Sequence, residues 1–300
     1  MRPRRAALTA LMAAALPFTF MQVSSAQAAV TVIDDAGATV TLERPATRII
    51  SLAPHITEQL FAIGAGDRIV GTTEHADYPP AAVAIPRVGR AHSLDLERIA
   101  TLRPDLVVIW GSGFPPATVA SVERLGVPVF ISEPRTLGDV ARSLERLGVL
   151  TGRDGASAAA QFNAKVDALR RQYSARAPVR VFYQVWTAPL MTLSGRHVIN
   201  EAIELCGGRN VFASLIPVAP QVSTEAVVAA DPQVIITAEP AGRASTALSE
   251  WQRFPTLAAT RHQQFVTLDA DRINRHGPRL ADEIATLCAA IERTRAAAIK

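Results

Sequence analysis

The sequence predicts an α/β protein of two lobes, each built on a mostly parallel sheet, with one long rigid α-helix between them. Three observations carry this. A helix–strand unit occurs twice, over residues 93–109 and 223–236, at an offset of 128 residues. The offset superimposes Pro104 on Pro232, Glu97 on Glu225, Ile99 on Val227 and Val107 on Ile235. In each copy an acid follows a capping-type Ser or Thr and opens a short amphipathic helix. A proline then stops the helix, and an unbroken apolar run reads as a buried parallel strand. Second, residues 154–176 hold no Pro or Gly after Gly155, and Phe162, Val166, Leu169 and Tyr173 recur at helical spacing. Third, strand patterns alternate with helix patterns on both sides of that segment.

The elements follow in chain order. Residues 1–28 combine Arg2, Arg4 and Arg5, an apolar stretch over 6–15 and the small-x-small site Ala26-Gln27-Ala28. That is the pattern of a secretory signal peptide, and its apolar run is too short to span a bilayer. Short strands at 30–33 and 39–42 flank Asp34, Asp35 and Gly37 as a hairpin. A strand at 48–53 runs into a helix at 57–63, closed by Gly64 and Gly66. A strand at 69–72, the first repeated unit, a strand at 127–132 and helices near 116–125 and 136–148 complete a first lobe over 29–152. The connecting helix, within 153–177, has about 22 residues and a length of about 33 Å. A flexible linker would be rich in Gly, Ser or Pro, so this connection is stiff. The second lobe, 178–300, reads as a strand from 180, helices at 198–206 and 224–230, strands at 234–237 and 264–268, and a final helix over 278–297. The pattern is that of two Rossmann-like lobes, the anatomy of a two-lobed binding protein.

Charge and cysteine usage narrow the class. The net charge of +4 includes the three leader arginines and no leader acid, so the remainder carries +1. No basic cluster interleaved with aromatics stands out, which argues against a nucleic-acid partner. No cysteine lies near the leader's end, as a lipid anchor would require, so a soluble protein of the Gram-negative periplasm is expected. Cys206 and Cys288 are the two cysteines. An exported chain permits a disulfide between them, closing a loop of about 80 residues and contributing about 4 kcal/mol. Two buried free thiols are the alternative. The chain has no Gly-x-Ser-x-Gly elbow, His-Glu-x-x-His, P-loop or Gly-x-Gly-x-x-Gly. A secreted hydrolase is therefore a poor reading, and no catalytic residue or catalytic cofactor is assigned.

Several stretches together resemble a known family. They include Arg48-Ile-Ile-Ser-Leu-Ala-Pro54, Thr57-Glu58, Asp77-Tyr-Pro-Pro80, Leu96-Glu-Arg-Ile99 and Pro104-Asp-Leu-Val107. Leu205-Cys-Gly-Gly208, Asn210-Val-Phe212, Pro220-Gln-Val-Ser223, Arg275 and Pro278-Arg279 extend the likeness over about 46–295. The chain is similar to the periplasmic binding proteins of vitamin B12, haem and ferric-siderophore ABC importers, and most similar to the branch that captures cobalamin. The resemblance implies a ligand held between the lobes and delivered to an inner-membrane permease dimer with its ATPase, the binding protein being a monomer. It also implies that Glu97 and Glu225 dock on arginines of the permease. The plain alternative is a pair of acids favoured by the helix dipole.

The expected ligand contacts are Tyr78, His75, Trp110, Trp186, Asp271 and Arg275. Tyr78 and the two tryptophans lie where doubly wound sheets place ligands and would give flat walls to a large ring. Asp271 and Arg275 match residues that reach the polar periphery of a corrinoid, an intra-loop ion pair being their alternative. His75, Ala91 and Ala219 stand where close cobalamin binders carry aromatics. His55, His75 and His92 fall in successive loops, so a metal chelate, haem or a ferric siderophore, is the second ligand reading.

Overall fold

The structure, a computed structural model, describes residues 28–90, 93–242 and 246–297. Residues 1–27 of the leader read over 1–28 lie outside the described residues, as does His92. Strands β1 (Val30–Ile33) and β2 (Thr39–Leu42) form the expected antiparallel hairpin. The Asp34 carboxylate closes its turn by accepting from the N–H groups of Ala36 and Ala38. Then follow β3 (Ile49–Ser51), α1 (Pro54–Ala62) and β4 (Ile69–Thr72). Pro54 sits in the first turn of α1, where a missing N–H costs no helical hydrogen bond. A two-residue ribbon, β5 (Gly89–Arg90) and β6 (Ser93–Leu94), leads into α2 (Leu96–Thr101), β7 (Leu106–Trp110), α3 (Pro116–Glu123) and β8 (Val129–Ser132).

The first-lobe sheet is parallel throughout, in the order β4-β3-β7-β8. Its central strands are covered on both faces, which is why Leu106 to Ile109 are apolar without alternation and fully buried.

Helix α4 (Leu137–Thr151) begins with a capping box between Thr136 and Asp139 and ends at Gly152 in the left-handed region. Next comes α5 (Gly155–Tyr173), capped by Asp154. It has 19 residues, shorter than the sequence suggested, because the chain turns at Ser174. The α4–α5 corner is close: a Cβ on Gly155 would lie 2.2 Å from the Leu144 carbonyl oxygen, so only glycine fits there.

The second lobe runs β9 (Val179–Gln184), α6 (Val198–Leu205), β10 (Gly208–Asn210), α7 (Thr224–Ala230), β11 (Val234–Glu239), α8 (Ala258–Arg261), β12 (Phe265–Asp269), α9 (Ala270–Ile273) and α10 (Leu280–Ala297). Its parallel sheet has the order β10-β9-β11-β12. In each lobe the chain's first central strand is flanked by its second and third, so the two sheets have one topology. Helix α5 touches α4 on one side and α6 and α10 on the other. A single apolar core runs from Phe130 and Leu147 through Phe162 and Val166 to Ile203 and Ile284.

Cys206 and Cys288 form a disulfide, with Cα atoms 4.6 Å apart, tying the end of α6 to α10. The free-thiol alternative is thereby set aside. One detail of the repeat needs correction: Asp95, not Ser93, caps α2, its carboxylate accepting from the Arg98 N–H. Ser93 belongs to β6 instead. In the second copy Ser223 is the cap and accepts from Ala226.

Candidate functional site

The strand ends of both lobes converge on a cluster of rings. His55 lies in the first turn of α1, after β3, and Trp110 ends β7. From the second lobe come His197, the N-cap of α6, and His276, in the loop between α9 and α10. The His55 ring centre is 5.4 Å from Trp110 and 6.0 Å from His276. His276 lies 6.3 Å from Trp110 and 5.7 Å from His197. The lobes are joined here by a hydrogen bond of 2.8 Å from Gln59 Nε2 to the His276 carbonyl.

These imidazoles are neutral. Burial, and then the repulsion that an imidazolium there would meet from a protonated His276 and from Arg275, lowers His55 to about 3. Burial lowers His197 to about 4, its Nδ1 accepting from the Ile199 N–H. His276 falls to about 4 through burial and His197, only partly offset by the Pro134 carbonyl. His55 Nε2 and His276 Nδ1 are buried without a hydrogen-bond partner.

Beside the rings lies an inter-lobe ion network. Glu58 of α1, with its side chain 2% exposed, accepts from two second-lobe arginines. Arg279 grips it bidentately at 2.8 and 2.5 Å, and Arg275 reaches it at 3.1 Å. Arg275 also pairs at 2.7 Å with Asp77, from the first lobe, and at 2.7 Å with Asp271. Burial would raise the Asp77 carboxyl, but the Arg275 hydrogen bond and charge outweigh it and hold Asp77 below the usual range. The Arg279 guanidinium sits over the Tyr78 ring at 3.8 Å from its centre.

Tyr78 therefore presents one face to Arg279 and is 42% exposed. A cavity of about 280 Å³ opens beside it, between α1, α5 and α10. Its charges are already paired, Arg279 with Glu58 and Lys165 with Asp282.

The sequence-derived residues separate into groups. Trp110 lies on the ring cluster. Asp271 and Arg275 meet as the intra-loop pair, and Arg275 also crosses to the first lobe. Trp186 is 62% exposed, just after β9, its Nε1 donating to the Ala188 carbonyl. It bridges in register to Met191, which bridges to Gln221. Of the three histidines His55, His75 and His92, His55 lies against His276, His75 is exposed in the left-handed region at φ 66, and His92 lies outside the described residues. Among the described residues no group of three or more His, Cys, Asp or Glu could hold a metal ion. The sequence reading assigned no role to Glu58, Asp77, Arg279, His197 or His276. The first three lie inside quoted motifs, and only the tertiary fold puts them in contact.

Glu97 and Glu225 occupy the same position of α2 and α7, two residues beyond Asp95 and Ser223. Both are exposed. The Glu225 carboxyl is held below the usual range by its own main-chain N–H and the Ser223 hydroxyl, so it stays ionised.

Lobes of one topology, bridged by a helix and meeting at a polar and aromatic cleft, define a two-lobed ligand-binding protein. Comparison with known proteins makes the class specific. Residues 49–272 match the model of the periplasmic binding protein family, and the chain belongs to that family. It is 39% identical over 246 residues to the vitamin B12-binding protein of Vibrio cholerae serotype O1, covering 81% of this chain and 88% of that one. The vitamin B12-binding protein of Yersinia pestis is 34% identical, over 81% of this chain and 85% of its own. Among solved structures, the periplasmic vitamin B12 binding protein BtuF of Vibrio cholerae superimposes with a TM-score of 0.76 at 37% identity, covering 84% and 98% of the two chains. The periplasmic heme-binding protein RhuT of Roseiflexus sp. RS-1 does so at 0.70 and 26%, covering 82% and 98%. No helix among the described residues is long and apolar enough to cross a membrane.

Proposed function

We propose that this protein captures cobalamin or a related corrinoid between its lobes and delivers it to an inner-membrane ABC importer. The observation that carries the reading is the 39% identity to a vitamin B12-binding protein over 81% of the chain. The mechanism is binding, with no bond made or broken. Trp110 and Trp186 give apolar faces to the ring system, and Tyr78 offers the face not covered by Arg279. Arg275, Asp271 and His75 meet the ligand's amide and nucleotide-loop periphery. His55 Nε2 and His276 Nδ1, unpartnered at the ring cluster, are further polar contacts for a ligand.

The partner is a permease dimer with its ATPase, approached by a monomeric binding protein through Glu97 and Glu225. Matched acids on two similar lobes suit a permease of two equal subunits. The lobes span 29–152 and 178–300 with the connecting helix within 153–177. The leader 1–28 sends the chain to the periplasm.

Isothermal titration of residues 29–300 with cyanocobalamin, then with dicyano-cobinamide, tests the ligand. One-to-one binding of cyanocobalamin is expected, and the cobinamide comparison reports on the nucleotide loop. Absence of heat with both, together with a shifted Soret band on adding haemin, would transfer the assignment to haem. Docking is tested separately: Glu97→Arg with Glu225→Arg should abolish transport while cyanocobalamin affinity stays within about twofold. Equal loss of both would remove the docking role.

A further inference from the structure

We infer that Arg48 and Arg180 are a matched pair of positioning residues. Each fastens the C-terminal end of the helix whose N-terminal end presents Glu97 or Glu225. The inference rests on the docking reading above and deepens it.

The repeat seen in the sequence covers only a helix and a strand. In three dimensions it extends to an arginine contributed by another segment. Arg48 immediately precedes β3, and Arg180 lies near the start of β9, the equivalent strand of the other sheet. Arg48 Nε donates to the carbonyls of Leu102 and Arg103 at 3.2 and 3.1 Å, and its Nη2 donates to Leu102 at 2.6 Å. Arg180 Nε donates to the Asp231 carbonyl at 2.8 Å, and its Nη2 to the Asp231 carboxylate at 2.9 Å. Arg103 and Asp231 are equivalent in the repeat, and both are left-handed, with φ of 45 and 41.

The return contacts are matched too. The Asp105 carboxylate accepts from the Arg48 N–H at 2.9 Å, and Gln233 Oε1 accepts from the Arg180 N–H at 2.9 Å. The N–H groups of Asp105 and Gln233 donate back to the carbonyls of Arg48 and Arg180, each at 2.9 Å. Asp105 and Gln233 are themselves equivalent in the repeat.

Two left-handed residues of different type, gripped by arginines from equivalent strands, mark a device held in common by both lobes. Its purpose follows from how little else holds these helices. Helix α2 has six residues and α7 has seven, too short to be stable alone. Each fully buries one side chain, Ile99 or Val227, which are equivalent positions, with Leu96 and Leu102 or Val228 packed half-buried beside it. So narrow an apolar contact leaves a short helix room to rock.

The N-cap fixes one end of each helix. The guanidinium fixes the other, where carbonyls lack helical partners and a cation is favoured by the dipole. At 1.5 Å per residue α2 is about 9 Å long, so a tilt of about 10° displaces one end relative to the other by about 1.6 Å. That displacement is enough to break a charge-assisted hydrogen bond. Two-point docking is sensitive to it, because misplacing one acid lowers the effective concentration of its contact once the other is engaged.

The test uses the cyanocobalamin-loaded protein and its cobalamin importer in nanodiscs. The readout is the binding-protein concentration that half-saturates stimulation of ATP hydrolysis. Arg48→Ala and Arg180→Ala are each expected to raise it about tenfold, with the maximal rate unchanged and cyanocobalamin affinity within about twofold. Arg48→Lys and Arg180→Lys, which restore the charge and one donor, should recover half-saturation to within about threefold of wild type. A purely structural arginine would lower the melting temperature without separating half-saturation from maximal rate. Where an alanine variant does not fold, Arg→Gln, which keeps one donor and much of the stem, replaces it with the same expectation. Unchanged half-saturation in these variants, while Glu97→Arg with Glu225→Arg raises it, overturns the positioning role. If the glutamate reversals also leave it unchanged, the docking reading falls and the positioning role with it.

Discussion

Acidification should destabilise the fold through His55, His197 and His276, and the size of the effect can be worked out. All three titrate near 6.5 when solvated, whereas burial lowers His55 to about 3 and His197 and His276 to about 4. The unfolded chain therefore binds more protons than the native one below pH 6.5. Stability is intact above that value, falls as the pH drops through the window from 6.5 towards 4 for His197 and His276 and towards 3 for His55, and levels off once the native imidazoles protonate. At pH 5 the native groups remain neutral and each solvated histidine is almost fully charged. That costs about 2 kcal/mol per histidine, about 6 kcal/mol in all. The figure depends mainly on the solvated value, because each native group titrates about a unit or more below pH 5. Arg275 acts in the same direction, since its charge opposes an imidazolium at His55.

Scanning calorimetry at pH 7.5 and pH 5.0 is the assay. For a chain of this size 6 kcal/mol corresponds to a melting-temperature loss on the order of 10–20 °C. His55→Gln should remove about a third of the loss, and His276→Gln a similar share. His262→Gln, at an exposed site, should remove none. If the loss between the two pH values is the same in His55→Gln and His276→Gln as in wild type, the reasoning is wrong.

Three further outcomes are expected. Glu58→Gln leaves Arg279 with the Asp271 carbonyl and the Tyr78 ring and removes the buried carboxylate that two arginines share, Arg275 keeping Asp77; urea unfolding should show a loss of about 3 kcal/mol or more, and a loss below about 1 kcal/mol would mean that the network does not hold the lobes. Cys206→Ser with Cys288→Ser releases a link of sequence separation 82 and should cost about 4 kcal/mol by the same measurement, a negligible loss showing that the α6–α10 contact suffices alone. Trp186→Ala should leave the melting temperature within about 1 °C, since the ring is 62% exposed, yet weaken cyanocobalamin about tenfold by titration calorimetry; unchanged affinity would remove Trp186 from the ligand wall.

What the sequence disclosed and what it withheld have physical causes. Buried parallel strands are apolar runs, so the strand after Pro104 was legible from composition alone. The amphipathic period of α5 and the spacing of Glu97 and Glu225 were equally plain. The elements β10, α8 and α9 were not, because none is an unbroken apolar run and three or four residues are too few for a period to appear. The cap of α2 was misplaced because both Ser93 and Asp95 are capping residue types, and only the turn geometry chooses between them.

The site was legible where it lies on repeated or motif-bearing segments and hidden where it depends on contact between lobes. His55 and His276 are 221 residues apart in the chain. Their pairing depends on how α1 and the loop before α10 meet, which no local pattern encodes. Glu58 reads as an ordinary helical acid until Arg275 and Arg279 are folded onto it.

This dependence on inter-lobe contact bears on how ligand and importer communicate. The stiff, 19-residue α5 joins the lobes through its contacts with α4 and with α6 and α10. The Glu58 network and the Gln59–His276 bond tie the lobes a second time, at the cleft, through buried charged groups whose loss costs several kcal/mol. Two ties resist rotation far better than one, because a hinge at α5 now has to break contacts at the cleft. Both cleft ties run through α1, the helix that follows β3, and Arg48 immediately precedes that strand and clamps α2. A ligand that displaces Asp77 or Glu58 from Arg275 therefore acts on the segment that also holds Glu97. On the proposed docking reading, the spacing of the two acids depends on α5 and on the cleft contacts, which predicts that ligand state and docking geometry are coupled.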